Sequence, residues 1–306
     1  MGYHPRIETK KYKCLLTTRS RNSELWFTNN PELESAILGY AARYITRYSV
    51  KLYALAIEGN HVQATAHFPN ENRSKFMRDF NSAVAKSVPR YTPEYPGGKF
   101  WARRYSNEFL PTHEDIEYYF FYVVLQPVKD GLVDRISEFP GYNCFNDAAW
   151  GKTKTFKVVN WGAFNAAKRT SKKASIKDFT ETVELKYERL PGYEHLTQKE
   201  YAKMLYAKLE YYREHFLKER GDKPAAGREK ILRTKRGATP KNTKTSKWNS
   251  FRPRVLCKCP VTRRDVLAWY FAIYERFKVC SRKYLAGDLL IEFPPGTYKP
   301  HIYAPC

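Results

Sequence analysis

Along the first 125 residues of the chain, the spacing of apolar residues switches repeatedly between two patterns. Short apolar or alternating runs predict strands, and longer stretches with an apolar residue every three or four positions predict helices. The predicted strands cover residues 12–20, 50–57, 61–68 and 100–109, and the predicted helices cover residues 30–48, 73–88 and a stretch that begins after Thr112. This order favours an α+β fold, with helices packed on one face of an antiparallel sheet in the ferredoxin-like arrangement.

The composition changes beyond about residue 150, and we expect a second region there. Helices are predicted over residues 196–220 and 263–284. Residues 222–254 are poor in apolar side chains and rich in lysine and arginine, which predicts a flexible basic linker. We therefore divide the chain into an α+β domain, residues 1–150, and a mainly helical, basic DNA-binding extension, residues 151–306.

The charge balance favours a nucleic acid as partner. The chain has 54 lysines and arginines against 31 aspartates and glutamates, a net charge of +23, which creates a strong positive field. An anionic membrane or a ribosomal contact would suit the charge alone, but 16% of the residues are aromatic, and aromatic rings offer stacking faces to unpaired bases. The basic residues that we select as candidate DNA contacts are Arg103, Arg104, Lys152, Lys154, Arg233, Lys235 and Arg236.

Several segments argue against other classes of protein. Residues 1–13 lack the apolar core of a signal peptide, and no apolar run approaches the roughly 20 residues of a membrane span, so we expect a cytoplasmic protein. We expect most of the six cysteines to be free thiols, as in a reducing compartment. The C-x-C pair of Cys257 and Cys259 is weak spacing for zinc. The W-G-K-T letters of residues 150–153 do not form a phosphate-binding loop, since Asn146 stands where the first glycine is required.

Residues 61–68 form the first part of a candidate site. Side chains alternate along a strand, so His61, Gln63, Thr65 and His67 share one face, and the apolar residues between them face a core. His61 and Gln63 offer a nitrogen and an oxygen that are able to hold a divalent metal ion. The alternative is a histidine and a glutamine on a solvated sheet face.

The helix after Thr112 supplies the second part. Tyr118, Tyr122 and Gln126 occur at i, i+4 and i+8, which places them on one stripe of a continuous helix. If that stripe crosses the face of His61, Gln126 completes a three-ligand metal site and Tyr122 lies beside the metal as a nucleophile. The alternative is that these aromatic residues only fill a core.

Four segments carry a resemblance to a known family. Residues 58–63 (E-G-N-H-V-Q) resemble the p-N-H-v-H strand of single-tyrosine transposases, especially the REP-associated tyrosine transposases, and residues 122–133 (Y-V-V-L-Q-P-V-K-D-G-L-V) resemble their Y-I-x-x-N-P-V-x-x-G-L-V helix. Residues 100–105 (F-W-A-R-R-Y) are similar to the aromatic and basic strand before that helix, and residues 293–296 (F-P-P-G) to the tail of longer members. The resemblance covers approximately residues 10–150.

The resemblance implies an H-U-H endonuclease fold, with Tyr122 as nucleophile and Gln126 as a metal ligand beside His61 and Gln63. It implies nicking and joining of single-stranded DNA through a 5′-phosphotyrosine intermediate at hairpin-forming ends, in a prokaryotic protein associated with the nucleoid. The long C-terminal extension favours a monomer, although the shortest members of this group act as dimers, so a dimer stays open.

Gln63 departs from the family pattern, in which a second histidine is usual. The amide retains a neutral donor atom and favours Mg²⁺ or Mn²⁺ over borderline metals. Two other functions stay open: a domesticated, non-catalytic nucleic-acid-binding protein, and a rolling-circle replication or conjugation nickase with the same chemistry.

Overall fold

A tight hairpin at Gly59 and Asn60 lies at the centre of the first half of the chain. The structure is a computed structural model that describes residues 5–171, 173–240 and 254–301. The elements of the first half are β1 (Lys13–Arg19), α1 (Pro31–Tyr48), β2 (Lys51–Glu58), β3 (His61–His67), α2 (Arg73–Tyr91), β4 (Ser106–Leu110) and α3 (His113–Val124). They follow the predicted order of strands and helices, which confirms the α+β class.

The second half adds helices, a strand and a small two-stranded sheet. Its elements are α4 (Gln126–Lys129), α5 (Phe145–Trp150), β5 (Lys154–Val159), α6 (Trp161–Thr170), β6 (Thr180–Leu185), α7 (Gln198–Arg220), α8 (Arg228–Arg233), β7 (Arg254–Val255) and α9 (Pro260–Leu285). The helices α7 and α9 match the two long predicted helices. The antiparallel pair of β5 and β6 was not predicted, and it packs on α1, where a Cβ atom on Gly39 would lie 2.7 Å from the side chain of Val158.

The main sheet has the strand order β2-β3-β1-β4-β7. All its pairs are antiparallel except the parallel pair of β4 and β7. The strand predicted over residues 100–109 is shorter in the structure, because residues 102–104 form a bend and β4 begins at Ser106. Trp101, before the bend, forms an isolated bridge with Ser20.

Helices lie on both faces of the main sheet. Val62 and Ala64 of β3 line an apolar cavity together with Ala41 of α1 and Phe76 of α2. α3 contacts β2 and β3 from the opposite side, which is the side of Gln63. The predicted arrangement with helices on one face therefore describes α1 and α2, whereas α3 covers the face that carries the candidate site.

α3 begins as predicted but ends earlier. The side chain of Thr112 accepts a hydrogen bond from the backbone N–H of Asp115, and the two residues form a capping box. Pro127 has no N–H to donate to the carbonyl of Val123, and its ring would clash with that carbonyl in a continuous helix. The chain therefore breaks at Leu125, and Gln126 begins α4 rather than a third position on the stripe of Tyr118 and Tyr122.

Residues 221–238, which we name the strap, dock on the α+β domain. At one end the N–H groups of Ala226 and Gly227 donate to the carbonyls of Gly131 and Leu132. At the other end the N–H of Gly237 donates to the carbonyl of Leu25. A basic, apolar-poor segment is thus ordered by backbone hydrogen bonds to the domain, which a composition-based prediction cannot detect.

Part of the segment predicted as a flexible linker over residues 222–254 therefore contacts the domain, between residues 226 and 238. Residues 241–253 lie outside the part of the chain that the structure describes. Farther on, Val266 and Tyr270 of α9 form a small second core with residues near the N-terminus and with Phe109 of β4. Within residues 5–171, 173–240 and 254–301, no helix combines the length and the apolar character that crossing a membrane requires.

Candidate active site

His61 opens β3 and is held with one ring nitrogen free. Its Nδ1 lies 2.8 Å from Oδ1 of Asn60, whose Nδ2 donates to the carbonyl of Ser23. Nδ1 therefore carries the ring proton and Nε2 keeps its lone pair. Burial, and then the charge of Arg19, lower the pKa of His61 to about 3. The neutral imidazole, which is the form that binds metals, is thus present at neutral pH.

Gln63 lies two residues further along the same face and is buried. Its Nε2 donates to Oγ1 of Thr17 at 3.2 Å. Its Oε1 is also buried and has no hydrogen-bond partner among the described residues. A buried acceptor without a partner costs about 1–3 kcal/mol, so this oxygen is available to a ligand that the structure does not contain.

Gln126 repeats the arrangement of Gln63. It is buried at the start of α4, and its Nε2 donates to Oδ2 of Asp130 at 2.9 Å. Its Oε1 is buried and has no partner within the described part of the chain. Asp130 thus fixes the amide with its carbonyl oxygen free.

Two observations relate Gln126 to the hairpin that carries His61. Glu58 is the cross-strand partner of His61, so the two side chains share one face of the sheet. Burial, and then the charge of Asp130, raise the pKa of Glu58 well above its ordinary range. Because Asp130 also holds Gln126, Gln126 belongs to the surroundings of the Glu58 end of the hairpin.

This donor set suits a hard or intermediate divalent ion. Among the described residues, no three His, Cys, Asp or Glu side chains form a metal cluster. The candidate set instead combines one imidazole nitrogen with two amide oxygens, each amide held by its nitrogen. Neutral nitrogen and oxygen donors of this kind fit Mg²⁺ or Mn²⁺ better than a thiolate-seeking metal.

Tyr122 is half-buried near the end of α3, and its ring packs against the C-terminal extension. The ring centroid lies 6.3 Å from that of Phe216 in α7, and Nζ of Lys129 lies 3.8 Å from the ring centre. Tyr118 faces Phe216 as well, at 6.5 Å. Among the described residues no hydrogen bond holds the hydroxyl of Tyr122. The structure thus places His61 and Gln63 on one face of β3 and Gln126 on α4, and it leaves the phenol of Tyr122 free of hydrogen bonds.

Arg103 and Arg104 are exposed in the bend before β4. They lie in a group of cations with Arg6, whose guanidinium stacks 4.4 Å from the ring centre of Tyr105. Burial, and then the charge of Arg104, lower the pKa of Arg6 to about 10. Several arginines therefore concentrate positive charge at this end of the sheet.

Lys152 and Lys154 differ in whether their positive charge is available to bind an anion. Lys152 is exposed between α5 and β5. Nζ of Lys154 lies 3.1 Å from Oδ2 of Asp147 and 4.7 Å from the ring centre of Tyr142. The charge of Lys154 is therefore already paired within the protein.

The three basic residues predicted near the end of the linker lie on the strap. Arg233 and Lys235 are exposed, and Arg233 is 3.4 Å from Glu229 in a solvent-exposed pair of little energetic weight. Arg236 has a docking role, because its Nη2 donates to the carbonyl of Asn29.

Two basic segments flank the start of β3. On one side, the bend that carries Arg103 is attached to β1 by a hydrogen bond from the N–H of Ala102 to the carbonyl of Arg19, the cross-strand partner of His61. On the other side, the strap binds Leu25, whose side chain packs at Gly59 in the hairpin turn. The end of the sheet that holds the candidate ligands is therefore bordered by positive charge on two sides.

Sequence reasoning did not identify Glu58, Asp130 and Lys129 as members of the site. Asp130 carried a signal, since it stands four residues after Gln126. Glu58 carried one too, because it lies directly before the predicted turn and must pair with His61 in a two-residue hairpin. Lys129 reaches Tyr122 because the break at Leu125 shortens the distance between them, and the sequence alone does not show that break.

Residues 7–120 match the family model of IS200-like transposases. That match includes His61 and Gln63 and ends before Tyr122. No curated protein matches the chain.

Two solved structures resemble the chain. A REP-associated tyrosine transposase bound to a REP hairpin is 17% identical, covers 49% of this chain and 87% of that one, and has a TM-score of 0.42. A candidate transposase from Deinococcus radiodurans is 15% identical, covers 36% of this chain and 87% of that one, and has a TM-score of 0.28. The sequence match thus shows that residues 7–120 of this chain are similar to IS200-like transposases.

Proposed function

We propose that the chain is a metal-dependent, single-tyrosine DNA nicking and joining enzyme of the transposase type, acting on single-stranded DNA at hairpin-forming ends. One observation carries this proposal. Three neutral donors, Nε2 of His61 and Oε1 of Gln63 and Gln126, are left free while the other polar atom of each side chain is engaged. Such an arrangement of ligands and supporting partners is typical of a metal site.

His61, Gln63 and Gln126 would hold Mg²⁺ or Mn²⁺. When bound, the ion supplies Lewis-acid polarisation of the scissile phosphate. The supporting residues Asn60, Thr17 and Asp130 keep the three donor atoms free and oriented.

Tyr122 supplies the nucleophile in this proposal. Its phenol oxygen forms a bond to phosphorus, and the bond from phosphorus to the 3′ oxygen breaks. The phenol loses its proton, and the departing 3′ oxygen gains one. The 5′-phosphotyrosine retains the energy of the broken bond, so attack by a 3′ hydroxyl on the same phosphorus rejoins a strand and restores Tyr122. Lys129, beside the ring of Tyr122, supplies positive charge for the phosphate.

The DNA strand would pass along the two basic segments that flank the start of β3. Arg103 and Arg104 on one side, and Arg233 and Lys235 on the strap, are exposed and suited to phosphate contacts. Such contacts bind without regard to sequence. A free Lys152 can add to them, whereas Lys154 is paired with Asp147 and Arg236 holds the strap. We keep the monomer as the proposed active form.

The proposal is tested by trapping the covalent intermediate. The full chain is incubated with Mn²⁺ and a labelled single-stranded hairpin from the flanks of its own gene, and denaturing gels detect protein joined to DNA. We expect an adduct with the parent chain and none with Tyr122→Phe. Tyr118→Phe is the matched control, because Tyr118 is also half-buried on α3 and also packs on Phe216; it should form the adduct.

The same experiment distinguishes the proposed enzyme from the alternative functions. A parent chain that binds the hairpin equally well in chelator and forms no adduct with any divalent ion is a non-catalytic DNA-binding protein. An adduct with Tyr122→Phe would assign the nucleophile to another residue. Preference for a replication or transfer origin over hairpin ends would indicate a nickase of that kind.

A further inference from the structure

The candidate site contains a third buried oxygen without a partner, and it belongs to an acid. Glu58 is 4% exposed, and its Oε1 has no hydrogen-bond partner among the described residues. It lies at the last position of β2, in register with His61, so its side chain projects from the same face of the sheet. Cross-strand neighbours of this kind have Cβ atoms about 5 Å apart.

The hairpin turn fixes Glu58 relative to His61. A Cβ atom on Gly59 would lie 2.6 Å from Oγ1 of Thr28 and 2.8 Å from Cδ2 of Leu25. The turn is therefore pressed against neighbouring side chains. Asn60 is tied to the carbonyl of Ser23, so the two ends of the hairpin have little freedom to separate.

Among the described residues, no cation forms an ion pair with Glu58. The charge that acts on Glu58 is instead that of Asp130, which holds the amide of Gln126. The cross-strand partner of Glu58, His61, is neutral, and Arg19, on the far side of His61, pairs in register with His61 rather than with Glu58. A buried carboxyl group that lacks both a cation and hydrogen bonds is unfavourable, unless a ligand completes it.

We propose that Oε1 of Glu58 is a fourth ligand, and the anionic one, of the divalent ion that His61, Gln63 and Gln126 would hold. The inference rests on the proposed function, because it concerns the same site. An imidazole and two amides bring no negative charge to the ion, and an amide at position 63 is a weaker donor than an imidazole. One carboxylate supplies the missing charge and gives three oxygens to one nitrogen, which favours Mg²⁺ and Mn²⁺ over Zn²⁺.

The test measures binding of Mn²⁺ alone to the full chain, without DNA, by electron paramagnetic resonance of the free ion. Glu58→Gln should weaken the affinity by at least about tenfold, the lower end of the effect of losing a supporting partner of a metal ligand. It should also raise the preference for Zn²⁺ over Mn²⁺. Glu108→Gln is the matched control, since Glu108 is a buried glutamate of the same sheet that pairs with Arg254; its Mn²⁺ affinity should equal that of the parent.

His61→Ala separates failure of this inference from failure of the proposed site. If His61→Ala abolishes Mn²⁺ binding and Glu58→Gln leaves it unchanged, Glu58 is not a ligand and the three-ligand site stands. If neither variant changes Mn²⁺ binding, the site itself is wrong.

A second measurement uses the parent chain, so it does not depend on whether a variant at Glu58 folds. The parent chain is labelled with carboxyl-¹³C glutamate, and electron-nuclear double resonance is recorded on bound Mn²⁺. A strong ¹³C coupling is the result expected from a coordinated glutamate. A spectrum without that coupling overturns the inference.

Discussion

At the scale of single residues, the candidate site depends on which polar atom of each side chain is engaged. His61 binds Asn60 through Nδ1, Gln63 binds Thr17 through its amide nitrogen, and Gln126 binds Asp130 in the same way. The spacing of residues in the sequence predicts which side chains share a face. It does not predict the partners that decide which atom each of them presents.

The burial of His61 leads to a pH-dependent stability in the absence of metal. Its folded-state pKa of about 3 lies below the ordinary value of 6.5. Between these two pH values the imidazole is protonated in the unfolded chain and neutral in the folded chain. The stabilisation is complete above pH 6.5 and is lost as the pH falls towards 3. Between pH 6.5 and 5 the parent chain should lose about 2 kcal/mol of unfolding free energy from this group.

Urea unfolding in chelator at both pH values measures this loss. The unfolding free energy of His61→Gln should fall by about 2 kcal/mol less than that of the parent over the same pH interval. Equal losses in the two proteins would mean that His61 is accessible to protons in the folded state.

Asp130 provides a residue-scale test of orientation. Asp130→Ala removes the acceptor for Nε2 of Gln126 and should weaken Mn²⁺ binding by about 10–100-fold, as loss of a supporting partner does. Asp130→Asn keeps an oxygen in place and should restore most of the affinity. Calorimetric titration with Mn²⁺ provides the values, and an alanine variant with unchanged affinity would remove Asp130 from the site.

At the scale of elements, the sequence predicted most of the sheet domain and the two long helices beyond it, but not how the rest of the chain packs around the domain. The strand that starts at His61 and the helix that starts after Thr112 were found because apolar periodicity and capping residues act locally. Gln126 was placed on the wrong element, because the stripe of Tyr118 and Tyr122 was extended through Pro127. The two-stranded sheet of β5 and β6 was missed because it rests on one helix, and its exposed face lacks a strong apolar pattern.

The strap is the element whose docking is most directly testable. Gly237 has φ +75°, and a Cβ atom there would lie 2.5 Å from the buried ring of Trp26. Gly227, also in the strap, has φ +83° and nothing within 4 Å of such an atom. Alanine at either position costs about 1–2 kcal/mol through its left-handed backbone, but only at position 237 must the strap also move away.

We therefore expect Gly237→Ala to weaken binding of single-stranded DNA and to speed trypsin cleavage after Arg233 and Lys235, because a strap that has moved away from the domain fits a protease more readily. Gly227→Ala is the control and should show a smaller change in both measurements. Equal trypsin sensitivity in the two variants would show that Trp26 does not hold the strap.

At the scale of the whole molecule, a net charge of +23 is distributed so that two basic segments border one end of the sheet. Composition predicted a nucleic acid partner but not this distribution. Arg236 and Lys154 show the difference, since both are basic and both are engaged within the protein. A count of charges cannot separate them from Arg233 and Lys235, which are exposed.

The salt dependence of DNA binding should report on this distribution. Each phosphate contact that is lost lowers the slope of log affinity against log salt by about 0.7 for a single strand. Arg233→Ala and Lys235→Ala should each lower the slope by about that amount, measured by fluorescence anisotropy of a labelled oligonucleotide. Lys154→Ala, whose charge is paired with Asp147, should leave the slope unchanged.

The location of one bound ion tests the central claim most directly. Crystals of the chain grown with Mn²⁺ and measured near the manganese absorption edge should show a single strong anomalous peak on the α3 side of the sheet. It should lie about 2.0–2.3 Å from Nε2 of His61 and from Oε1 of Gln63 and Gln126. A peak elsewhere on the protein, with these three atoms still unliganded, would contradict the account.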